Sequence, residues 1–306
     1  MGTGNGQVFF LVTRSRFAAA ALLLGLPVLT LVVPVAVIAQ TTDAGLVVTS
    51  RTDWLSGRLR MEVRAPLPSD GRNAPAASYA VEQEVRADLP AILQQETGSV
   101  RVDSLLTLAE HYGERPRLAV QVADLSENLV PLENRQTPDL RFVELSYSLD
   151  MYGAIAPLFI EHDRPADLPR VISWRPSREF TGLVIYARGE LPVHGEDRVS
   201  RVYPAMFPDI YSHEATQVVL ETDTVRPEVI TSRGPVAYAT SASDPVIAER
   251  AGTRPMRALA VGVFGRYATD PIISAADAEV FFAEAANREL IHDGRVVIII
   301  EESVLD

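Results

Sequence analysis

A chain without a single cysteine has to be held together by its core, and this bounds what it can become. Disulfide scaffolds, thiolate metal sites, cysteine nucleophiles and lipid attachment at cysteine are all excluded. Lysine is absent too: all 28 basic residues are arginine, so Schiff-base chemistry and a P-loop are ruled out. The 306 residues are 47% hydrophobic and 22% charged, with 21 prolines and 18 glycines. That balance suits globular folding and excludes collagen-like, coiled-coil and wholly disordered chains. A formal charge of −12 argues against nucleic acid as a partner.

The amino terminus carries the clearest signal. Arg14 and Arg16 are the only charges before an apolar run from Phe17 to Ala39. A basic start, an apolar stretch and the small-x-small sequence Val37-Ile38-Ala39 mark an export signal, with cleavage expected between Ala39 and Gln40. The alternative is an uncleaved anchor, because residues 17–39 are long enough to span a bilayer despite Pro27 and Pro34. Either way the bulk of the chain is expected to be exported, to the periplasm or tethered at the inner membrane. Removing the two arginines takes the formal charge from −12 to −14, a surface repelled by anionic lipid and phosphate. Contact with the membrane is therefore expected only through 17–39.

Residues 40–306 read as an α+β layer structure. A smaller β-β-α-β-α region is expected over 40–135, and a strand-rich domain ending in a helix–strand unit over 140–306. In the first region, 45–49 and 58–63 read as paired strands around a turn at Asp53–Gly57. A helix is expected over 74–93, with Pro90 kinking it or starting a new one. A strand follows at 99–102, then a helix capped by Asp103 and running to His111, then an alternating strand at 117–122. The polar stretch 131–139 is the candidate linker. In the second region, 140–152 alternates at period two, and 181–187, 236–239 and 258–264 read as strands buried on both faces. Residues 244–250 read as a helix stopped by Gly252. Ser274 to Asp277 reads as a capping box, and a helix then leads through Asp293-Gly294 to the aliphatic strand 296–300.

Motifs of known chemistry are sparse. The five histidines make no metalloprotease pair, and there is no Gly-x-Ser-x-Gly elbow or dinucleotide loop. The best local cluster is Glu190, His194 and Glu196, in a loop directly after a buried strand, which could hold a divalent cation or ligand; a solvated turn is the plain reading. Glu161-His162-Asp163 sits among prolines that point to a surface loop. Forty acidic residues leave sequence adjacency unable to select a catalytic carboxylate pair. Tyr203, Phe207 and Tyr211 recur every four residues, but Pro204 and Pro208 break any helix that would align them. No catalytic residue and no cofactor is expected.

The second half carries a resemblance. Phe180-Thr-Gly-Leu-Val-Ile-Tyr-Ala-Arg-Gly189, then Tyr203-Pro-Ala-Met-Phe-Pro-Asp-Ile-Tyr211, Gly234-Pro-Val-Ala-Tyr238, Thr269-Asp-Pro-Ile-Ile-Ser274 and Gly294-Arg-Val-Val-Ile-Ile299 resemble a pattern in exported spirochaete proteins. More distantly, residues 140–300 are similar to proteins grouped with flagellar assembly protein T and a family of outer-membrane lipoproteins. The resemblance implies an exported envelope protein, with Gly182, Arg188, Gly189, Pro204 and Pro208 as structural motif positions. Two functions follow as expectations: a non-catalytic accessory or assembly factor binding another envelope protein, or an enzyme or ligand binder using the Glu190–Glu196 loop.

Overall fold

A computed structural model describes residues 40–41, 45–68, 74–170, 175–212 and 217–305. The apolar run 17–39, including Ala39 at the expected cleavage position, lies outside these residues; Gln40 is placed.

Period-two alternation builds the first sheet. In β3 (Arg58–Pro66), Leu59, Met61, Val63 and Ala65 are buried while Arg58, Arg60, Glu62 and Arg64 are exposed. β3 pairs antiparallel with β2 (Val47–Asp53) through the expected turn, where Asp53 Oδ1 accepts the N–H groups of Leu55 and Ser56. β1 (Gln40–Thr41) extends β2 on its outer side. Beyond β3 lie β5 (Phe142–Asp150) and then β4 (Val130–Gln136), giving the order β1-β2-β3-β5-β4. The helix α1 (Ala74–Glu96) packs on the sheet through Val81, Val85, Leu89, Ile92 and Leu93.

Several local expectations differ from the structure. α1 runs unbroken through Pro90 to Glu96, because a proline removes one donor while Leu89, Ile92 and Leu93 are buried around it. At 99–102, Thr97–Ser99 makes a 3₁₀ turn and Arg101 forms an isolated bridge with Thr107. The next helix, α2 (Leu108–Glu114), is capped by Thr107 and not by Asp103; Glu110 Oε2 accepts the Thr107 N–H at 2.8 Å. Residues 117–122 belong to a helix, α3 (Pro116–Asp124), whose buried Leu118 and Val122 stand four apart, a spacing that alternation and a helix share. The polar stretch 131–139 is no linker for most of its length but the exposed edge strand β4, hydrogen-bonded to β5.

Aliphatic runs build the second sheet, of order β10-β9-β13-β12-β6-β14-β11. Its centre is β6 (Leu183–Tyr186), flanked in parallel by β14 (Val296–Ile299) and β12 (Met256–Phe264), with β11 (Ala237–Ala239) parallel outside β14. On the other side β13 (Asp270–Ile273) runs antiparallel to β12, followed by β9 (Ile210–Ser212) and β10 (Gln217–Leu220). A hairpin of β7 (Leu191–Pro192) and β8 (Val199–Ser200) stands apart. Helices α4 (Met151–Ala154), α5 (Pro227–Arg233), α6 (Pro245–Ala251), α7 (Ala275–Phe282) and α8 (Ala285–His292) complete the fold. The α7 start is the expected capping box: Ser274 Oγ accepts the Asp277 N–H at 3.1 Å and donates to Asp277 Oδ2 at 2.7 Å.

One face of this sheet is covered by α6, where Ile247 and Ala251 meet Val184, Ala239, Val297 and Ile299. Gly182 permits that approach: a Cβ there would stand 2.5 Å from Ala251 Cα. α6 reaches over β6, β14 and β11, so the outer face of β12 stays open. Leu259 and Val261 are exposed there, against the expectation of a strand buried on both faces. The opposite face, with Leu183, Ile185, Val296 and Ile298, joins Phe281, Phe282 and Ile291 in a core cluster that also contains Met61 and Leu149 of the first sheet. One continuous core thus runs through both sheets. Among the described residues, no helix is long and apolar enough to cross a membrane.

Candidate functional site

The loop after β6 is a hairpin with solvated side chains. Gly189 takes φ of 87° at the strand end, and its N–H donates to Glu301 Oε1 at 3.0 Å. Arg188 is exposed beside it. The His194 N–H donates to Val263 O at 2.8 Å, which ties the loop to the end of β12. Glu190, His194 and Glu196 are all exposed, and Glu196 is ion-paired with Arg198 at 2.5 Å, which holds its carboxyl below the usual range. Among the described residues, no group of three or more His, Asp or Glu side chains has a geometry that could hold a metal ion. His162 is engaged elsewhere, donating from Nε2 to Val225 O at 2.8 Å.

The proline-bounded segment 203–209 places other groups. Pro204 and Pro208 are buried, and the backbone between them, bent at Met206 and Phe207, stitches the 100–103 turn to the second sheet. Met206 and Phe207 donate their N–H groups to Arg101 O and Val102 O, at 3.0 and 2.8 Å. Arg101 Nε donates to Pro204 O at 2.8 Å, and its guanidinium stands 5.3 Å from the Tyr203 ring centre. Buried Tyr238 clamps Ala205, accepting its N–H and donating to its carbonyl, both at 3.0 Å. Tyr203 therefore packs under Arg101, while Phe207 and Tyr211 turn to a common cleft. The three do not form one aromatic stripe.

That cleft, about 450 Å³, opens between the 102–105 turn, the start of β9 and the turn after β10. Its walls are aromatic: Phe159 and Phe207 stand 5.6 Å apart, and Tyr211 meets Phe264 edge to face at 5.7 Å. Its acidic groups are Asp103, Asp209, Glu221 and Asp223. Asp103 is committed to the turn, where Oδ1 accepts the N–H groups of Leu105 and Leu106 at 2.8 Å and Oδ2 lies 3.3 Å from His111 Nε2.

Asp209 is the distinctive member. Its N–H donates to Asp270 Oδ1 at 3.1 Å, and its Oδ2 accepts from the Tyr211 hydroxyl at 2.9 Å. Asp270 is 1% exposed; Thr269 Oγ1 donates to its Oδ1 at 2.8 Å, and the Ser104 side chain lies against its carboxyl. Burial, reinforced by the negative charge of Asp270, pushes the Asp209 carboxyl up to about 8. Burial raises Asp270 to about 6. The pair therefore retains a proton close to neutral pH, and the Tyr211 hydroxyl, pushed up by burial and by Asp209, stays a donor.

Sequence reasoning missed this pair. The available signal was Asp270 itself, an acid inside the apolar strand Thr269-Asp270-Pro271-Ile272-Ile273, where a charge is costly to bury. Asp209 offered no such cue, because its partner lies 61 residues away. A second groove, about 380 Å³ on the outer face of the first sheet, is lined by charges that satisfy one another: Glu144 pairs with Arg135 at 2.8 Å and with Arg64 at 3.9 Å.

Comparison with known families fits the two-sheet geometry. Residues 46–158 match the family model described as Treponema pallidum Tp0624, N-terminal domain, and residues 182–302 match the model of its second domain. Each segment is thus similar to one domain of this spirochaete protein. The first Tp0624 match runs from the start of β2 through α4, and the second from β6 through β14. The cleft takes Asp103 from the first matched segment and Asp209, Tyr211 and Phe264 from the second. Neither matched model is of flagellar assembly protein T or of an outer-membrane lipoprotein. No curated protein matches the chain.

Proposed function

We propose that this Tp0624 relative is an exported, non-catalytic component of the cell envelope, an accessory or assembly factor that binds another envelope protein in the cleft between its 102–105 turn and β9. The observation that carries the reading is the cleft itself: aromatic walls, an acidic floor, and contributions from both family-matched segments. Buried carboxyls with raised pKa beside a concave site mark it as a functional-site candidate. Export, cleavage at Ala39–Gln40 and a periplasmic location are supported by Arg14, Arg16 and the apolar run that follows them. Association with the flagellum is the finest part of the proposal and rests on the motif resemblance over 140–300 alone. The alternative site at Glu190, His194 and Glu196 gains no support from three exposed side chains, one of them already ion-paired.

The test is in-cell cross-linking of the tagged full chain, followed by affinity purification and mass spectrometry. The reading expects one envelope protein recovered repeatedly, and lost when Asp223→Arg and Phe264→Ala are combined in a variant whose circular dichroism is unchanged. Recovery of the chain alone, or of the same partner with the variant, would overturn it.

A further inference from the structure

Resting on the reading of the cleft as the partner's seat, we propose that the partner enters it with a basic side chain, an arginine or lysine, lying between the aromatic walls with its cationic end against Glu221 and Asp223.

Charge is the first argument. The acidic lining residues are Asp103, Asp209, Glu221 and Asp223, and among the described residues no arginine or histidine lines the cleft. Behind the floor lies Asp270, buried beside the lining residue Ser104, whose hydroxyl lies against its carboxyl. Such a carboxylate group favours a cation and resists an anion. The walls make the second argument. The partly exposed lining rings of Phe264 and Tyr211 would attract a cation through their ring quadrupoles and would take the apolar stem of a long side chain. A neutral apolar group would use the walls and gain nothing from the acidic side chains. The fold shows the same chemistry at the cleft's edge, where the Arg115 guanidinium sits 4.8 Å from the centre of the Phe159 ring. Size is the third: about 450 Å³ accommodates a long side chain and some of the backbone that carries it.

The probe is N-acetyl-arginine amide, titrated into the full chain by NMR, with N-acetyl-citrulline amide as its uncharged isostere. The arginine probe is expected to shift the amide signals of Asp209, Tyr211 and Phe264, while the citrulline probe leaves them in place. Glu221→Gln combined with Asp223→Asn should weaken binding at least fivefold, and Phe264→Leu about threefold, the size of one exposed cation–π contact. Equal shifts with both probes, or binding unchanged by both variants, would overturn the proposal. The two readings fail separately. A cleft-dependent partner captured in cells, with no response to the arginine probe, would sink the basic anchor alone. A cleft that binds the probe, with no partner captured, would sink the partner reading.

Discussion

Arg250 is 5% exposed, and the groups that hold it are carbonyls: Nε donates to Gly294 O at 2.5 Å, and its terminal nitrogens donate to the oxygens of Arg233, at 3.1 Å, and Gly234. Burial lowers its pKa to about 9, so it stays charged at neutral pH. The carbonyls lie at the end of α5 and just beyond α8, where helix dipoles offer negative potential. Arg250→Met should therefore cost about 3 kcal/mol in urea unfolding, because three carbonyls lose a charged donor together. Gly182→Ala should be destabilising by about 2 kcal/mol in the same assay, since its Cβ would stand 2.5 Å from Ala251 Cα and α6 would have to move. Asp209 works in the opposite sense to most acids. Its native pKa of about 8 lies above the 3.8 of a free aspartate, so between these values the folded state holds a proton that the unfolded state has lost. Stability from this group is therefore present at low pH and lost as pH rises toward 8. Melting temperatures measured from pH 5 to 8.5 should fall more steeply for the wild type than for Asp209→Asn, and parallel curves would contradict the assignment.

Elements were legible where one periodicity had a single interpretation. β3 and β5 alternate over nine residues each, and the structure pairs them along their whole length. The capping box at Ser274 and the stop at Gly252 were readable because each is a local device. Leu118 and Val122 were not, since residues four apart share a face in a strand and in a helix alike. Asp103 has the chemistry of a cap, yet it closes a turn instead, and Thr107 with Glu110 starts the helix. The path of 203–209 is set by a tertiary contact that no local pattern announces, the two hydrogen bonds between Tyr238 and Ala205. Tyr238→Phe would leave a buried N–H and C=O unpaired and should cost about 2 kcal/mol. Hydrogen exchange should show the loss, with the Ala205 amide exchanging faster while amides of β3 hold their protection.

The whole molecule joins two antiparallel and mixed sheets through one core, and the cleft lies where the 102–105 turn of the first half meets β9 of the second. The candidate site was the least legible level for that reason. Glu190, His194 and Glu196 are neighbours in sequence and could be singled out, yet they face solvent. Asp209 and Asp270 come together only when β9 and β13 pair in register. The account makes this cleft the place where a partner is held. A photo-cross-linking residue at Leu105 on the cleft rim, compared in cells with one at Val120 on α3, tests that most directly; both positions are exposed. The account predicts one envelope protein joined from Leu105 and not from Val120, with the adduct lost when Asp223→Arg and Phe264→Ala are combined. The same protein joined from Val120 alone, or equally from both, would contradict it.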